Sequence, residues 1–391
     1  MITLPFAART DGLVGSVIDS STSLLAAQTH DIVRFAMGSP APDSIPSALL
    51  AELAAEELAR PSSYDYAATE GDPMLRDALL SSLRGTTDET TDERLTITAG
   101  GMQGLDLACK LFVDPGDLVV VESPTYTGGS AVALSHGAEL LEVPTDADGL
   151  DVDALEGAVA AAGRAPTVIY TIPTFQNPAG TTLSLPRRER LVELARRWGS
   201  MVIDDDPYAL LRFAGTEVPS LRAVAGGAPL VFSVRTFSKT VAPGLRCGWV
   251  DADPSLSSLL INAKQAMDTC TNMPAQRLVA RFLAGGHLVE HLETQRAVYR
   301  ERKAGMQAAL ARHLGDRAHW TDPDGGFFLW VTLPGVDTQE LFPAALAEGV
   351  AYIPGRAFSP AGRFTDALRL CFATTDPERA DVGGARLAAC L

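Results

Sequence analysis

Lysine is scarce in this chain, and one lysine lies among residues that suit amine chemistry. Only four of the 32 basic residues are lysines. Lys239 lies in "SVRTFSKTVAPGLRCGW" (233–249), next to hydroxyl side chains and seven residues before Arg246. Hydroxyls, backbone N–H groups and an arginine fork together bind a dianion such as a phosphate ester. A phosphate site beside a lysine that can form a Schiff base is what pyridoxal phosphate requires.

Three further requirements of this cofactor have candidate residues. The segment "VIDDDPY" ends an apolar run with Asp205 and Asp206, and either carboxylate is a candidate to keep the ring nitrogen protonated. The segment "TITAGGMQGLDLACKLF" indicates a strand, a glycine turn and a helix whose N-terminus favours phosphate. Tyr126 in "ESPTYTGG" and Asn177 in "PTFQNPAG" are candidates to cover the ring and to donate to its phenolate oxygen.

The elements that carry these residues alternate between short apolar runs and helical stretches. Each run is rich in β-forming residues and ends in Gly, Pro, Asp or Ser, which predicts a mainly parallel sheet covered by helices on both faces. Sites in such sheets form at the carboxyl ends of the strands. The predicted strands are 94–100, 117–123, 167–173, 201–208, 229–239 and 245–252.

The pattern changes after residue 285. A long helical stretch is followed by "GGFFLWVTLP", "GVAYIPG" and "ALRLCFA", which predicts a second, smaller α+β domain. The predicted organisation is an N-terminal segment (1–46) that packs with the small domain, a large cofactor-binding domain (47–285) and the small domain (286–391).

Composition excludes several classes of function. The net charge of -16 and the pI near 4.8 argue against a nucleic-acid-binding surface. We find no metal-binding signature, and no run of about 18 apolar residues that would cross a membrane. The five cysteines are widely spaced, which predicts free thiols and a cytoplasmic protein.

These motifs, in their order along the chain, resemble a known family. The chain is similar to fold-type I pyridoxal-phosphate enzymes from residue 35 to residue 373. The matching motifs are, in order, "FAMGSPAPDSIP" (35–46), "YDYAATEGDPMLRDAL", "TAGGMQGLDL", "VESPTYTGG", "TIPTFQNPAGTTLS", "IDDDPY", "TFSKTVAPGLRCGW", "IPGRAFSP" and "ALRLCFA" (367–373). Within that group it resembles the class I/II aminotransferases, in the branch that contains 2-aminoadipate and aromatic aminotransferases.

The resemblance implies a role for each matching residue. Lys239 would form the Schiff base and move the proton of the substrate α-carbon, Asp205 would pair with the ring nitrogen, and Tyr126 would stack on the ring. The residues implied to contact the rest of the cofactor are Gly101, Met102, Asn177, Tyr208, Thr236, Ser238 and Arg246. Tyr66 would complete the site of a neighbouring subunit, which implies a homodimer. On the substrate side, Arg369 would bind the α-carboxylate, together with Asn177 and Gly38.

By the same resemblance, the expected activity is transfer of an amino group from an L-amino acid to a 2-oxo acid. Two alternatives stay open at this point. The same scaffold supports elimination, replacement, cyclisation or oxidase reactions, and it also occurs as the sensing domain of transcription regulators. A dinucleotide-binding fold is excluded because "TAGGMQG" lacks the G-x-G-x-x-G spacing. The side-chain pocket is expected to be partly apolar, although Arg235 or Arg34 is a candidate to bind an acidic group.

Overall fold

An eight-stranded sheet forms the centre of the computed structural model, which describes residues 5–13, 15 and 29–391. The spatial order is β2 (Leu95–Thr98), β9 (Gly248–Asp251), β8 (Val231–Thr236), β7 (Met201–Asp205), β6 (Val168–Thr171), β3 (Leu118–Ser123), β4 (Glu139–Asp146) and β5 (Gly149–Leu150). Strands β3, β4, β6, β7 and β8 are parallel to one another, whereas β2, β9 and β5 run antiparallel to their neighbours. The predicted mainly parallel sheet is confirmed.

Each of the six apolar runs contains one strand of this sheet, shortened at the ends where glycine, proline or aspartate begins the connection. Strand β4 was not predicted. Its sequence, "ELLEVPTD", is mostly half-exposed and carries acidic residues, because it lies near the edge of the sheet. The apolar signal that marks a buried parallel strand is therefore weak there.

Helices cover both faces of the large sheet. Leu105, Ala133 and Leu260 pack from three helices against one face, and Val159, Leu191 and Leu221 pack from three others against the opposite face. The helices of this part are Ser47–Glu57, Pro73–Leu83, Gly101–Phe112, Thr127–Ser135, Val152–Ala162, Leu185–Trp198, Leu221–Ala225, Ser257–Asp268 and Met273–Ala284. This three-layer packing confirms the α/β class.

A second region follows residue 285. Its four-stranded antiparallel sheet has the order β10 (His319–Trp320), β11 (Phe328–Thr332), β14 (Ala367–Cys371) and β13 (Ile353–Pro354). The helices are His287–His313, Thr338–Ala347 and Pro377–Ala389. Near the N-terminus, β1 (Val33–Arg34) pairs in parallel with β12 (Val350–Ala351). The domain boundaries at residues 46 and 285 stay predictions.

The described helices also bear on membrane association. None of them combines the length and the apolar character that a membrane-spanning helix needs.

Candidate active site

The predicted site residues line one cleft. It has a volume of about 340 Å³ and lies where β7 and β8 end. The predicted residues that line it are Gly38, Gly101, Met102, Tyr126, Asn177, Asp205, Tyr208, Thr236, Ser238, Lys239, Arg246 and Arg369. Tyr66 does not line the cleft of its own chain, and 81% of its surface is exposed.

Lys239 follows strand β8 by three residues, and its amine reaches the cleft. The Nζ atom donates to the backbone carbonyl of Gly38 at 2.5 Å and lies 6.0 Å from the centre of the Phe327 ring. Burial lowers the pKa of Lys239 to about 8, because a charged amine is poorly solvated there. A larger share of this amine is therefore neutral at physiological pH than for an exposed lysine, as a nucleophilic amine requires.

Asp205 is the last residue of β7 and is only 7% exposed. The hydroxyl of Tyr170, on the adjacent strand β6, donates to Asp205 Oδ2 at 2.9 Å. Burial raises the pKa of Asp205 to about 7. A cation placed beside this carboxylate in the cleft would lower its pKa and hold it ionised. The sequence analysis missed Tyr170, because it lies within an apolar run and no local motif marks it.

Gly100 and Arg246 form the turn below the cleft. The backbone of Gly100 has a φ of +82°, and a Cβ atom there would lie 2.5 Å from Arg246 Nη2. Only glycine allows both this backbone conformation and this close approach. The guanidinium of Arg246 donates to the carbonyl of Ala99 at 3.1 Å and to Ser238 Oγ at 3.4 Å. Arg246 is thereby fixed beside the hydroxyl of Ser238.

The helix Gly101–Phe112 begins at this turn and directs its N-terminus toward the cleft. The first backbone N–H groups of a helix have no partner within the helix, and the helix dipole adds a partial positive charge. Thr236 Oγ1 accepts from the backbone N–H of Ser238 at 3.1 Å, so the two hydroxyls stand next to this N-terminus and Arg246. Together these groups make a site for a phosphate dianion.

Arg369, in the middle of β14, is 1% exposed. Its Nη1 donates to Asn177 Oδ1 at 3.0 Å, and its Nη2 donates to the carbonyl of Ala36 at 2.9 Å. The Nε atom is buried without a hydrogen-bond partner, and no carboxylate of the described residues forms an ion pair with the guanidinium. A buried cation without an anion is unfavourable, so this arrangement suits an incoming carboxylate.

Two tyrosines contribute aromatic surface to the cleft. Tyr126 directly precedes the helix Thr127–Ser135, and a Cβ atom at Gly128 would lie 2.5 Å from the Tyr126 ring. At Gly129 a Cβ atom would lie 2.3 Å from the Tyr170 ring. The two glycines in "TYTGG" therefore leave space for two rings. Tyr208 is 2% exposed, and burial raises its pKa well above the usual range, so it is a neutral phenol that can donate a hydrogen bond.

A buried carboxylate supports the loop that carries Asn177, and the sequence analysis missed it. Glu122 accepts from Thr171 Oγ1 at 2.5 Å and from Gln176 Nε2 at 3.0 Å. Gln176 Oε1 in turn accepts from the backbone N–H of Ala179 at 2.7 Å. Burial raises the pKa of Glu122 to about 7. Glu122 and Gln176 thereby fix the backbone on both sides of Asn177.

The hypothesis that Arg235 binds an acidic substrate group is wrong. Arg235 lies on the face of β8 turned away from the cleft, where its Nη2 donates to Asp204 Oδ2 at 2.9 Å. Arg34 does not line the cleft either; it is exposed on β1. The side chain of a strand residue alternates between the two faces of the sheet, and sequence proximity to Lys239 does not reveal which face Arg235 takes.

Comparison with known proteins identifies the family. Residues 30–387 match the family described as aminotransferase class I and II, so the chain belongs to it. The chain is 36% identical over 98% of its length to aromatic-amino-acid aminotransferase 1 of Thermococcus litoralis, of which 93% is covered. It is 38% identical over 93% of its length to the 2-aminoadipate transaminase of Thermus thermophilus, of which 91% is covered.

Solved structures agree with this assignment. A kynurenine aminotransferase of Pyrococcus horikoshii, in complex with PMP, superposes with a TM-score of 0.92 at 34% identity, covering 99% of this chain and 96% of the other. LysN, the alpha-aminoadipate aminotransferase of Thermus thermophilus, superposes with a TM-score of 0.90 at 37% identity, covering 99% and 97%. The chain is therefore a pyridoxal-phosphate-dependent aminotransferase of fold type I, and the expected family, activity and cofactor are confirmed.

The residues of the cleft fit pyridoxal phosphate. A Cβ atom at Gly100 would collide with the Arg246 guanidinium, Asp205 is a buried carboxylate that lines the cleft, and Lys239 offers an amine. No group of three or more His, Cys, Asp or Glu side chains in the described ranges is arranged to hold a metal ion. The amine, the carboxylate and the groups at the helix N-terminus together suit an organic phosphate with a basic ring nitrogen.

Proposed function

We propose that this aminotransferase takes its amino group from an L-amino acid with a large apolar or aromatic side chain and binds the α-carboxylate with Arg369. The observation that carries the proposal is the buried guanidinium of Arg369, which has two neutral partners and an unpaired Nε. Arginine binds carboxylates in a bidentate manner, and such a contact orients the α-carbon.

The rest of the cleft supports an apolar side chain. Met37, Leu105, Ile172 and Phe328 line it, and the cations that line it in the described ranges are Lys239, Arg246 and Arg369. In this proposal Lys239 and Arg246 bind the cofactor, and Arg369 binds the α-carboxylate of the substrate. Residues 1–4, 14 and 16–28, which lie outside the described ranges, contain no lysine or arginine. A second carboxylate on the substrate would therefore lack a cation from this chain, which favours aromatic and aliphatic donors over 2-aminoadipate.

Each chain residue has a defined task in this proposal. Pyridoxal phosphate, when bound, supplies the electron sink that makes the α-C–H acidic. The amine of Lys239 would hold the cofactor and, when neutral, would accept and return the α-proton of the substrate. Asp205 stays ionised against the ring nitrogen, and Tyr170 holds the carboxylate in place by donating to Oδ2. Asn177 and Tyr208 donate to the phenolate oxygen, and Tyr126 covers one face of the ring.

The phosphate is proposed to bind the groups around the glycine turn. These groups are the backbone N–H groups of Gly101 and Met102, the hydroxyls of Thr236 and Ser238, and the guanidinium of Arg246. Their arrangement at a helix N-terminus supports the assignment, since a dianion there interacts with the helix dipole and with a fixed cation.

We further propose a cytoplasmic homodimer in which Tyr66 completes the neighbouring site. The exposed phenol of Tyr66, outside the cleft of its own chain, supports a role across an interface. The five unpaired cysteines support a reducing compartment. Mixing two inactive variants, Lys239→Ala and Tyr66→Ala, tests the dimer: hybrid dimers contain one intact site, so activity should return on mixing. No return, with both variants folded and Tyr66→Ala inactive alone, would refute the shared site.

The substrate proposal is tested by single-turnover measurements. The purified holoenzyme is mixed with one amino acid at a time, and the 2-oxo acid product is quantified by chromatography. We expect one equivalent of product per site, with phenylalanine, tyrosine and leucine reacting at least ten times faster than 2-aminoadipate or aspartate, a difference of about 1.4 kcal/mol or more. A preference for 2-aminoadipate would overturn the substrate class. Catalytic release of ammonia instead of stoichiometric 2-oxo acid would contradict transamination.

A further inference from the structure

Arg235 is buried behind the candidate active site, on the far side of the large sheet. Its Nη2 donates to Asp204 Oδ2 at 2.9 Å, and its Nη1 donates to the backbone carbonyl of Asp204 at 3.0 Å. Ser233 Oγ donates to the same Oδ2 at 2.9 Å. In the parallel pairing of β7 with β8, Asp204 lies beside Ser233 and Asp205 lies beside Val234. Because neighbouring residues of a strand face opposite sides, Asp204 and Arg235 face away from the cleft that Asp205 faces.

Three consecutive carboxyl groups are buried at this strand end. Asp204, Asp205 and Asp206 are 0%, 7% and 6% exposed. Burial raises the pKa of Asp205 and of Asp206, and the carboxylate of Asp204 raises both further. The charge of Arg235 acts in the opposite direction on both groups. Burial also opposes the charge of Arg235, but the carboxylates of Asp204, Asp88 and Asp206 together outweigh burial and raise the pKa of the guanidinium, which therefore stays protonated.

We propose that Arg235 is a positioning residue for Asp205: its positive charge, held against Asp204, neutralises the carboxylates behind Asp205 and so keeps Asp205 ionised toward the ring nitrogen of the cofactor. This inference rests on the proposed pairing of Asp205 with that nitrogen.

The physical argument concerns where one proton resides. An acid and a basic nitrogen in contact share a single proton, either as the ion pair or as two neutral groups. A cation behind the carboxylate stabilises the ion pair, because it lies closer to the negative than to the positive partner. Without Arg235, Asp204 and Asp206 would disfavour the negative charge on Asp205, and the proton would move from the nitrogen to the carboxyl group. The ring would then withdraw electrons less strongly.

Other charged groups surround this pair and must be held constant in any test. The ionisable groups that interact with Asp205 or Arg235 are Asp88, Glu122, Tyr170, Arg188, Asp204, Asp206, Tyr208 and Lys239. Among them Arg188 donates to the backbone carbonyl oxygens of Leu183, Pro173 and Pro219, so it is fixed independently of the aspartates.

The test is nitrogen NMR of holoenzyme loaded with cofactor that carries ¹⁵N in the ring, since the chemical shift reports whether the nitrogen is protonated. Arg235→Met removes the charge at similar length, and Arg235→Lys retains it. The double variant Asp204→Asn with Arg235→Met removes one negative charge together with the positive one. Removal of a charge a few ångströms away changes such an equilibrium by about tenfold or more.

We expect the ratio of protonated to unprotonated nitrogen to fall about tenfold in Arg235→Met and to recover in both Arg235→Lys and the double variant. If Arg235→Met keeps the wild-type shift, the inference is wrong. If the double variant stays as shifted as Arg235→Met, Arg235 acts through packing and the inference is equally wrong.

Wild type and Asp205→Asn separate this inference from the role proposed for Asp205. If the wild-type ring nitrogen is unprotonated, or if Asp205→Asn leaves it protonated, the proposed pairing of Asp205 with the nitrogen fails. If both controls behave as proposed and only the Arg235 series does not, the pairing stands and the inference about Arg235 fails. Thermal unfolding of each apoprotein shows that the variants compared are folded.

Discussion

Replacement of Arg369 by methionine should greatly reduce activity while hardly changing the stability of the apoprotein. Burying a guanidinium destabilises the folded state by several kcal/mol. Two hydrogen bonds, to Asn177 and to the carbonyl of Ala36, return about 1–3 kcal/mol each. The Phe328 ring, 4.2 Å from Cζ, contributes about 2 kcal/mol through a cation–π contact. These terms nearly cancel, so Arg369→Met should change the free energy of unfolding by less than about 2 kcal/mol.

The effect on the reaction should be much larger. A bidentate carboxylate contact made of two charge-assisted hydrogen bonds contributes about 3–6 kcal/mol, so kcat/KM should fall by roughly 10²–10⁴-fold in Arg369→Met. Arg369→Lys keeps the positive charge but loses the bidentate geometry, so its kcat/KM should lie between those of the wild type and Arg369→Met. The assays are steady-state kinetics with an amino acid donor and urea unfolding of the apoprotein.

Arg188 is the matched control, because it is also 1% exposed but lies outside the cleft. It donates four hydrogen bonds, to three backbone carbonyl oxygens and to Thr174 Oγ1, so Arg188→Met would leave several buried acceptors unpaired. This variant should lose several kcal/mol of stability and retain its KM for the donor. If instead Arg369→Met unfolds as easily as Arg188→Met and its residual activity shows an unchanged KM, Arg369 is a structural residue and the reasoning is refuted.

Three other predictions concern separate parts of the site. Gly100→Ala should weaken cofactor binding about 10–100-fold, because the added Cβ would displace Arg246. Gly116 is the control: its φ is also positive, at +90°, but a Cβ there would have no atom within 4 Å, so Gly116→Ala should bind the cofactor normally. Fluorescence titration of each apoprotein with the cofactor measures the two affinities. Labelling of Lys239 in the apoprotein by an amine reagent, followed by mass spectrometry, should be half-maximal near pH 8, and a midpoint above pH 10 would contradict the effect of burial. Since burial raises the pKa of Glu122 from 4.5 to about 7, its stabilising contribution is complete below pH 4.5 and is lost as the pH rises to about 7; Glu122→Gln should flatten this part of the pH–stability curve in urea unfolding.

The sequence predicted those parts of the site that local motifs encode. The motif "TAGGMQG" marks the glycine turn before residue 101, and the motif "TFSKTVAPGLR" marks the lysine after β8. Each motif combines residues that together favour binding of a phosphate. The positions of strand ends follow from apolar runs that stop at Gly, Pro or Asp, and the parallel sheet brings those ends to one edge. The cleft could therefore be predicted from the order of motifs along the chain.

Residues whose role depends on a neighbouring strand could not be predicted. Tyr170 resembles any buried aromatic residue of an apolar strand until β6 lies beside β7, where its hydroxyl meets Asp205. Glu122 likewise appears in the sequence only as a polar residue near the end of a predicted strand, and its contact with Gln176 joins residues 54 positions apart. Hydrogen bonds across strands depend on register, and a single sequence does not specify register locally.

The different roles of Arg235 and Arg369 could not be predicted from the sequence either. Both are strand arginines that folding buries, and either one would be a reasonable candidate to bind a substrate carboxylate. Arg235 contacts the carboxylate of Asp204 and interacts with those of Asp88 and Asp206, so its charge is already compensated within its own chain. Arg369 has neutral partners and an unpaired Nε, so a ligand must supply the anion. What separates the two is the charge of the surroundings, which the fold determines by selecting the face of the strand that each side chain occupies.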